Sequence, residues 1–559
     1  MLRRSLVPVF AMLVATPAAS AADPIMPLSE VRAGMRCTGL SVIRGTEPAS
    51  FDVEIIDVIA AEAGLSGPRL LVRVSGPAVD ATGIGPGFSG SPILCDGRNA
   101  GAISEGLGEY GNHVALATPI ELMIRDRPPA PATSARRDPA LLRAARPLTT
   151  PLTVTGLSGR AAALVKEASV RARRPLIVAP AGPVSGYEPV NLRPGSAVAL
   201  AVATGDLGLG AVGTVTYRDG EDIWAFGHPF EGLGRRSLFL QDAYVYTVIQ
   251  NPLGVQDLGA VTYKLASTDG YVQGSMTSDQ VDAVAGKIGE RPPSVPLHIE
   301  ARDRAGETVT LDSLLADERG LGYGAGLGFV APLGVTQAVS RLMRDFGPVT
   351  LRMCLRIRVR ELQRPMGFCN PYFSVDDAVA DLSQAGGLVD FFDLAPLHVE
   401  RASVSIRAHD GVKQDVIVRA RGPRRARKGS RIRVHLTLQR RRGARHRITV
   451  PVRVPRSLRP GRSHRLTLRG GGGSSSEEEL IREIIAMLEG DLGGGGGSSE
   501  PRTPRQLARD IRDLRRVPGI YARWDHRPSR LARRSGEVSY EGRARLRVRV
   551  TPRARPARR

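Results

Sequence analysis

The stretch at residues 83–92, GIGPGFSGSP, constrains this chain more than any other. Its core is G-x-S-G-S-P, from Gly87 to Pro92. A serine set between glycines and followed by a small residue and a proline suits a nucleophile exposed on a tight turn. In such a turn the amides of Ser89 and of Gly87, two residues earlier, are the pair that would hold an oxyanion. Pro92 then opens the apolar run Ile93-Leu94-Cys95, Asp96-Gly97 turns it, and Ala100-Gly101-Ala102-Ile103 returns. The serine therefore sits on a loop feeding a β-hairpin, whereas the serine elbow of an α/β-hydrolase leads into a helix. A plain glycine turn capped by Ser89 and Ser91 is the competing reading. A phosphate loop is disfavoured, since no G-K-[ST] occurs and no helix follows.

The rest of the 559 residues reads as several β-rich units. With Gly 63 and Pro 41, turns and linkers are frequent. Residues 1–21 read as a secretory signal, with Arg3-Arg4, a short apolar stretch and Ala19-Ser20-Ala21. An uncleaved anchor is the alternative, although the apolar stretch is short for a span. An exported chain permits disulfides, and the four cysteines fall in two pairs. Cys37–Cys95 would tie an N-terminal strand to the hairpin after Ser89. Cys354–Cys369 would clamp a hairpin formed by residues 351–359 and 366–373. A metal site is disfavoured, because no C-x-x-C occurs and no histidine is close in sequence to these cysteines. No cofactor is implied.

Residues 22–128 carry Ser89 on strands such as 51–55, 70–74 and 114–117, and His113 lies in a turn of this block. Residues 129–150, rich in Pro, Ala and Arg, read as a linker. A second β-rich block spans 151–290. There Ala211 to Tyr217 and Ile223 to Phe226 form a hairpin ending in Gly227-His228-Pro229. His228 at a strand end beside a glycine is a candidate base; a turn histidine bonded to backbone is the alternative. Residues 291–395 mix strands and helices, with Ser374 capping a helix to about residue 383. Residues 396–470 alternate apolar and basic residues between Gly-Pro turns, which suggests an immunoglobulin-like β-sandwich. Residues 471–499 are Gly/Ser tethers around a short amphipathic helix, 477–488. Residues 500–559 form a basic C-terminal region.

The formal net charge is +23. On an exported protein this points to anionic surface polymers or lipid head groups as partners. No recognition motif accompanies the charge, so specific nucleic-acid binding is the weaker reading. Alternate arginines on a strand also serve simply as its solvated face.

Several segments together resemble the serine peptidases typified by stage IV sporulation protein B. They are Met26 to Val31, Gly34-Met35, Thr38-Gly39-Leu40, Gly45-Thr46, Phe51 to Glu54, GFSGSP and Thr118 to Glu121, with Gly213 to Thr216 and Phe226-Gly227-His228. The resemblance covers about a third of the chain, roughly residues 26–125 and 195–285. It implies a chymotrypsin-like double β-barrel formed by two β-rich halves, with endopeptidase activity toward a protein substrate of the cell envelope or toward the chain itself. By motif, Ser89 matches the nucleophile and His228 the base. Two features differ. The histidine follows the serine here, an order that triad geometry tolerates. Gly76, in Ser75-Gly76-Pro77, stands where the family has its orienting aspartate. Asp80 is nearby, and Asp206, Asp222 and Asp242 lie in the histidine block, as candidate substitutes. Two readings follow: an exported serine endopeptidase, and a catalytically impaired scaffold of the same fold that binds envelope partners or anionic polymers.

Overall fold

The computed structural model describes residues 23–60, 67–107, 111–130, 152–157, 159–172, 176–178, 186–250, 262–343, 349–441, 443–471, 481, 485, 501–535 and 538–552. The signal segment 1–21, most of the linker 129–150, and the tether helix 477–488 apart from Ile481 and Ile485 lie outside them. The chain is mostly β. Among the described residues no helix is long and apolar enough to cross a membrane.

The first unit is a closed barrel. Its strands are β1 (Arg36–Val42), β2 (Pro48–Ile59), β3 (Arg69–Ser75), β4 (Pro92–Cys95), β5 (Arg98–Gly106) and β6 (Val114–Pro119). They close in the order β1-β2-β3-β6-β5-β4, and α1 (Ile120–Met123) leaves the last strand. Alternation explains the closure. On β2, Phe51, Val53 and Ile55 turn inward while Asp52 and Glu54 face water. These side chains meet Val72, Phe88 and Ile93 in one apolar core. The Cys37–Cys95 disulfide joins β1 to β4.

A 13-stranded sheet follows, and part of it also closes. Its first strands are β7 (Leu152–Thr155), β8 (Leu176–Val178), β9 (Ala197–Gly205), β10 (Gly208–Asp219), β11 (Asp222–Ala225) and β12 (Gly234–Asp242). After the separate hairpin β13 (Val245–Ile249) and β14 (Tyr263–Ala266) come β15 (Val272–Asp279) and β16 (Val284–Ile288). The order β9-β12-β15-β16-β11-β10 returns on itself through a direct β9–β10 pairing, which makes a second ring of strands. Val198, Leu200, Phe226, Leu238 and Met276 fill it. The helix α2 (Gly159–Ala172) is an element of this block that the alternating pattern did not signal.

The sheet continues through β17 (Ser294–Arg302), β18 (Thr308–Ala316), β19 (Val349–Val359), β20 (Met366–Tyr372) and β21 (Val399–Asp410). Helices α3 (Leu327–Leu342) and α4 (Val375–Asp390) pack on its apolar face and on each other. Ser374 caps α4 by accepting from the Asp377 amide, and the helix runs on to Asp390 because Leu382, Ala385 and Val389 keep the helical spacing of buried residues. Cys354 and Cys369 lie directly opposite on β19 and β20 and are bonded.

Two further sheets share the last core. One holds β22 (Lys413–Arg421), β24 (Arg431–Arg440), β25 (Arg445–Arg453) and β29 (Val538–Glu541). The other holds β23 (Arg425–Arg427), β26 (Ser463–Gly470), β27 (Gly519–Trp524), β28 (Arg530–Arg534) and β30 (Arg543–Thr551). Val434, Leu436, Leu466, Trp524 and Val548 meet between them. The bounds differ from 396–470. Strand β21 belongs to the large sheet, and residues 519–551, read from sequence as part of a separate C-terminal region, complete the pair of sheets. Helix α5 (Pro504–Asp513) instead buries Leu507 and Ile511 in the core of the large sheet, where Ile481 is also buried.

Candidate active site

The two rings of strands meet along a seam, and the serine turn lies in it. Apolar residues join the rings at two places: Ala102, Ile120 and Met123 against Tyr217 and Trp224, and Val42 against Ala197 and Val212, where Val245 of the β13 hairpin also packs. Between these clusters the chain from Gly87 to Ser91 is fixed by backbone. The Thr214 amide donates to the Ser89 carbonyl at 2.8 Å, and the Gly90 amide to the Ile103 carbonyl at 2.7 Å.

The Gly213-Thr214-Val215-Thr216 segment has a specific task here. The Thr214 hydroxyl donates to the Gly87 carbonyl at 2.9 Å, and the Thr216 hydroxyl to the Gly90 carbonyl at 2.8 Å. Two buried threonines of β10 thus hold the turn on both sides of Ser89. Gly90 is required by contact and by conformation. It has φ +90°, and a Cβ there would collide with the Thr214 carbonyl oxygen and the Phe226 amide nitrogen. Thr214→Val and Thr216→Val are each expected to lower stability by about 1–2 kcal/mol and to slow any reaction of Ser89. Thermal melts and the labelling rate of Ser89 check this.

Ser89 is partly exposed, and its hydroxyl has no hydrogen bond among the described residues. The same holds for the amides of Gly87 and Ser89. Ser91 differs. It is buried, and its hydroxyl donates to the Phe88 carbonyl at 2.6 Å and lies 2.8 Å from Ser41 Oγ.

His228 follows a strained bend. Phe226 is fully buried at φ 70°, a conformation unusual for a bulky residue, and Gly227 has the same φ. The Gly227 carbonyl accepts from the Thr118 hydroxyl of the first barrel at 2.6 Å, which seats the bend at the seam. The His228 ring is partly buried, and its Nδ1 lies 2.7 Å from the Pro229 carbonyl oxygen. A carbonyl only accepts, so Nδ1 carries the proton and Nε2 is left as the basic nitrogen. Burial holds the imidazole below its ordinary value of 6.5, so it is neutral at pH 7. No hydrogen bond joins Ser89 to His228 among the described residues. The two lie on adjoining segments, since Gly90 abuts Phe226.

The aspartates considered from sequence are engaged elsewhere. Asp80 accepts from the Gly76 amide at 2.7 Å on an exposed turn. Asp206 accepts from the Asp312 amide at 2.7 Å, and Asp222 pairs with Lys287 at 2.6 Å and Arg127 at 3.0 Å. Asp242 is buried and accepts from the Tyr187 hydroxyl and the Tyr271 amide. Gly76 follows β3 at φ +106°, where an aspartate would be strained. The group on His228 Nδ1 is the Pro229 carbonyl. A different carboxylate, Asp279, fixes the loop beyond it. Asp279 accepts from the amides of Phe230 at 2.7 Å, Glu231 at 2.8 Å and Leu233 at 3.3 Å. Arg236 adjoins it and pairs with Glu318 at 2.8 Å. His113, the histidine of the serine block, lies in the turn before β6.

A second group escaped the sequence reading. Lys264 on β14 is buried beneath the serine turn, with its stem carbons against Gly87. Its Nζ lies 2.7 Å from Ser41 Oγ, 3.2 Å from Thr214 Oγ1 and 4.6 Å from the centre of the Phe88 ring. No carboxylate pairs with it among the described residues. Burial therefore lowers the amine from 10.5 to about 7. One lysine in a short alternating strand carries no signal of burial.

No metal-binding group of histidine, cysteine and acidic side chains occurs among the described residues. Scans of the chain against protein-family models, curated proteins and solved structures return no match.

Proposed function

We propose that this chain is an exported serine endopeptidase of the stage IV sporulation protein B type, with the two rings of strands as a chymotrypsin-like double barrel and the last two sheets as an immunoglobulin-like sandwich. The observation that carries the proposal is the seam. One partly exposed serine, with two amides that have no hydrogen bond among the described residues, adjoins a bend whose neutral histidine has a basic Nε2. Two disulfides fit an oxidising compartment.

In this reading His228 Nε2 takes the Ser89 hydroxyl proton as Oγ attacks a peptide carbonyl. The oxyanion forms beside the amides of Gly87 and Ser89, as a preorganised pair of donors requires. The protonated imidazole then gives its proton to the leaving amine, and water hydrolyses the acyl-serine by the same steps. The Pro229 carbonyl keeps the ring in one tautomer, the role an aspartate has in the familiar triad. A neutral carbonyl stabilises imidazolium less than a carboxylate does, so slow turnover is expected. A hydrogen bond between Ser89 and His228 would form on substrate binding.

The impaired scaffold is the second reading, favoured by the absence of a carboxylate on His228 Nδ1 among the described residues. Peptide mapping after treatment with a fluorophosphonate separates the two. A covalent adduct on Ser89 of the folded, mature chain supports the enzyme. Ser89 left unmodified supports the scaffold.

A further inference from the structure

Strands β17, β21 and β19 lie side by side in the large sheet. Their register sets Arg302 opposite Arg407, and Arg407 opposite Arg352. All three side chains are exposed. Adjacent strands are about 4.8 Å apart, so the three guanidinium groups stem from one row with a short repeat. Arg304 after β17, Arg515 after α5 and Arg534 at the end of β28 line the same groove, whose volume is about 720 Å³. None of these six arginines pairs with a carboxylate among the described residues. Asp303, the acidic residue of the lining, is committed to the amides of Gly306 and Glu307 at 2.7 and 2.8 Å. Cys369 also lines the groove, so the Cys354–Cys369 disulfide stiffens its floor.

Like charges placed directly opposite on neighbouring strands are unfavourable. A row of three, enclosed by three more, is costly unless an anion occupies it. Guanidinium forks match phosphate oxygens and pair with them through two bonds. The volume lies within the range of ligand sites and suits several linked groups better than one small ion. A groove admits a chain, whereas a membrane presents a plane. Bases of a nucleic acid need aromatic platforms, and the lining includes no Phe, Tyr or Trp, its one aromatic ring being the imidazole of His409.

We propose that this groove binds a flexible linear chain of phosphate or phosphodiester groups without bases, such as a phosphate-bearing polymer of the cell surface. The site uses no residue assigned to the serine chemistry, so it stands or falls separately from the peptidase reading.

The test uses the full mature chain and linear inorganic polyphosphate as the probe. Orthophosphate, an oligothymidylate and phosphatidylglycerol vesicles serve as comparisons. The double variant Arg352→Gln/Arg407→Gln is expected to bind polyphosphate about tenfold more weakly or worse, since two charge-assisted contacts are lost. Arg545→Gln/Arg547→Gln, the same charge change on exposed positions of β30, should leave affinity nearly unchanged. Hydrogen exchange on the wild type guards against a variant that fails to fold. Polyphosphate should slow exchange in residues 349–352 and 515–518. Equal weakening in the two double variants, or no slowing at those residues, overturns the groove. Equal affinity for orthophosphate overturns the chain. Equal or tighter binding of oligothymidylate or vesicles overturns the base-free polymer.

Discussion

Ser89→Ala is expected to abolish fluorophosphonate labelling of the protein and to leave its melting temperature nearly unchanged. The hydroxyl is partly exposed and has no hydrogen bond among the described residues, so its removal strands no buried partner. His228→Ala should slow labelling of Ser89 by a comparable factor, on the order of 10⁴ or more, because nucleophile and base act as a unit. The double variant should lose no more than either single one. Ser91→Ala should behave in the opposite way. Its hydroxyl is buried between the Phe88 carbonyl and Ser41, so stability falls by about 1–3 kcal/mol while labelling persists. The wild-type rate should fall on acidification with a midpoint below the ordinary histidine value of 6.5, since burial favours the neutral ring. A labelling rate that survives His228→Ala undiminished would remove His228 as the base and bring His113 forward.

Lys264→Met is expected to stabilise the protein at neutral pH and to change how stability depends on pH. The folded amine titrates near 7, whereas in the unfolded chain it titrates near 10.5. Between those values the unfolded state binds one more proton. Wild-type stability should therefore rise with pH across this window, by about 1.4 kcal/mol per unit from this group. Below pH 7 both states hold the proton and the full penalty applies. Its upper size is about 5 kcal/mol, from the depression at about 1.4 kcal/mol per unit. Methionine fills a similar volume against Phe88 and Gly87 without that penalty. It also gives up the bonds to Ser41 and Thr214, so a net gain of about 1–4 kcal/mol is expected. Denaturant titrations from pH 6 to 10 on both proteins measure this. A Met variant that is less stable than wild type, with an unchanged slope against pH, would mean that the amine is charged and well paired.

Much of the local structure was legible. The alternation in residues 51–55 and 70–74 marks β2 and β3, and Asp96-Gly97 marks the turn between β4 and β5. Ser374 gave the start of α4. The cysteine pairs follow from their grouping, and both bonds are present. Long-range pairing was not legible. Closure of the second ring depends on β9 meeting both β10 and β12, and nothing in either strand's periodicity encodes that choice. Strand β21 has the same alternating pattern as the strands of the last two sheets after it, yet it pairs in parallel with β17. Period alone fixes which face is buried, not which neighbour covers it.

The site was half legible for the same reason. Gly87, Ser89 and His228 stand out because special turns need special residues. The groups that hold them do not. Thr214 and Thr216 act through hydroxyls aimed across the seam, and Asp279 through a carboxylate about 50 residues beyond the histidine it steadies. The partner of His228 Nδ1 is a main-chain carbonyl, which every residue has and no motif reveals.

In the proposed enzyme Ser89, His228 and the amides of Gly87 and Ser89 form one reactive unit. A crystal structure of the protein modified by a fluorophosphonate tests this arrangement. Phosphorus is expected to be bonded to Ser89 Oγ, the phosphonyl oxygen to lie about 2.7–3.1 Å from both amides, and His228 Nε2 to lie within hydrogen-bonding distance of a phosphonate oxygen or of Ser89 Oγ. A Ser89 adduct whose oxygen faces solvent, with the His228 ring turned away from it, would rule that unit out.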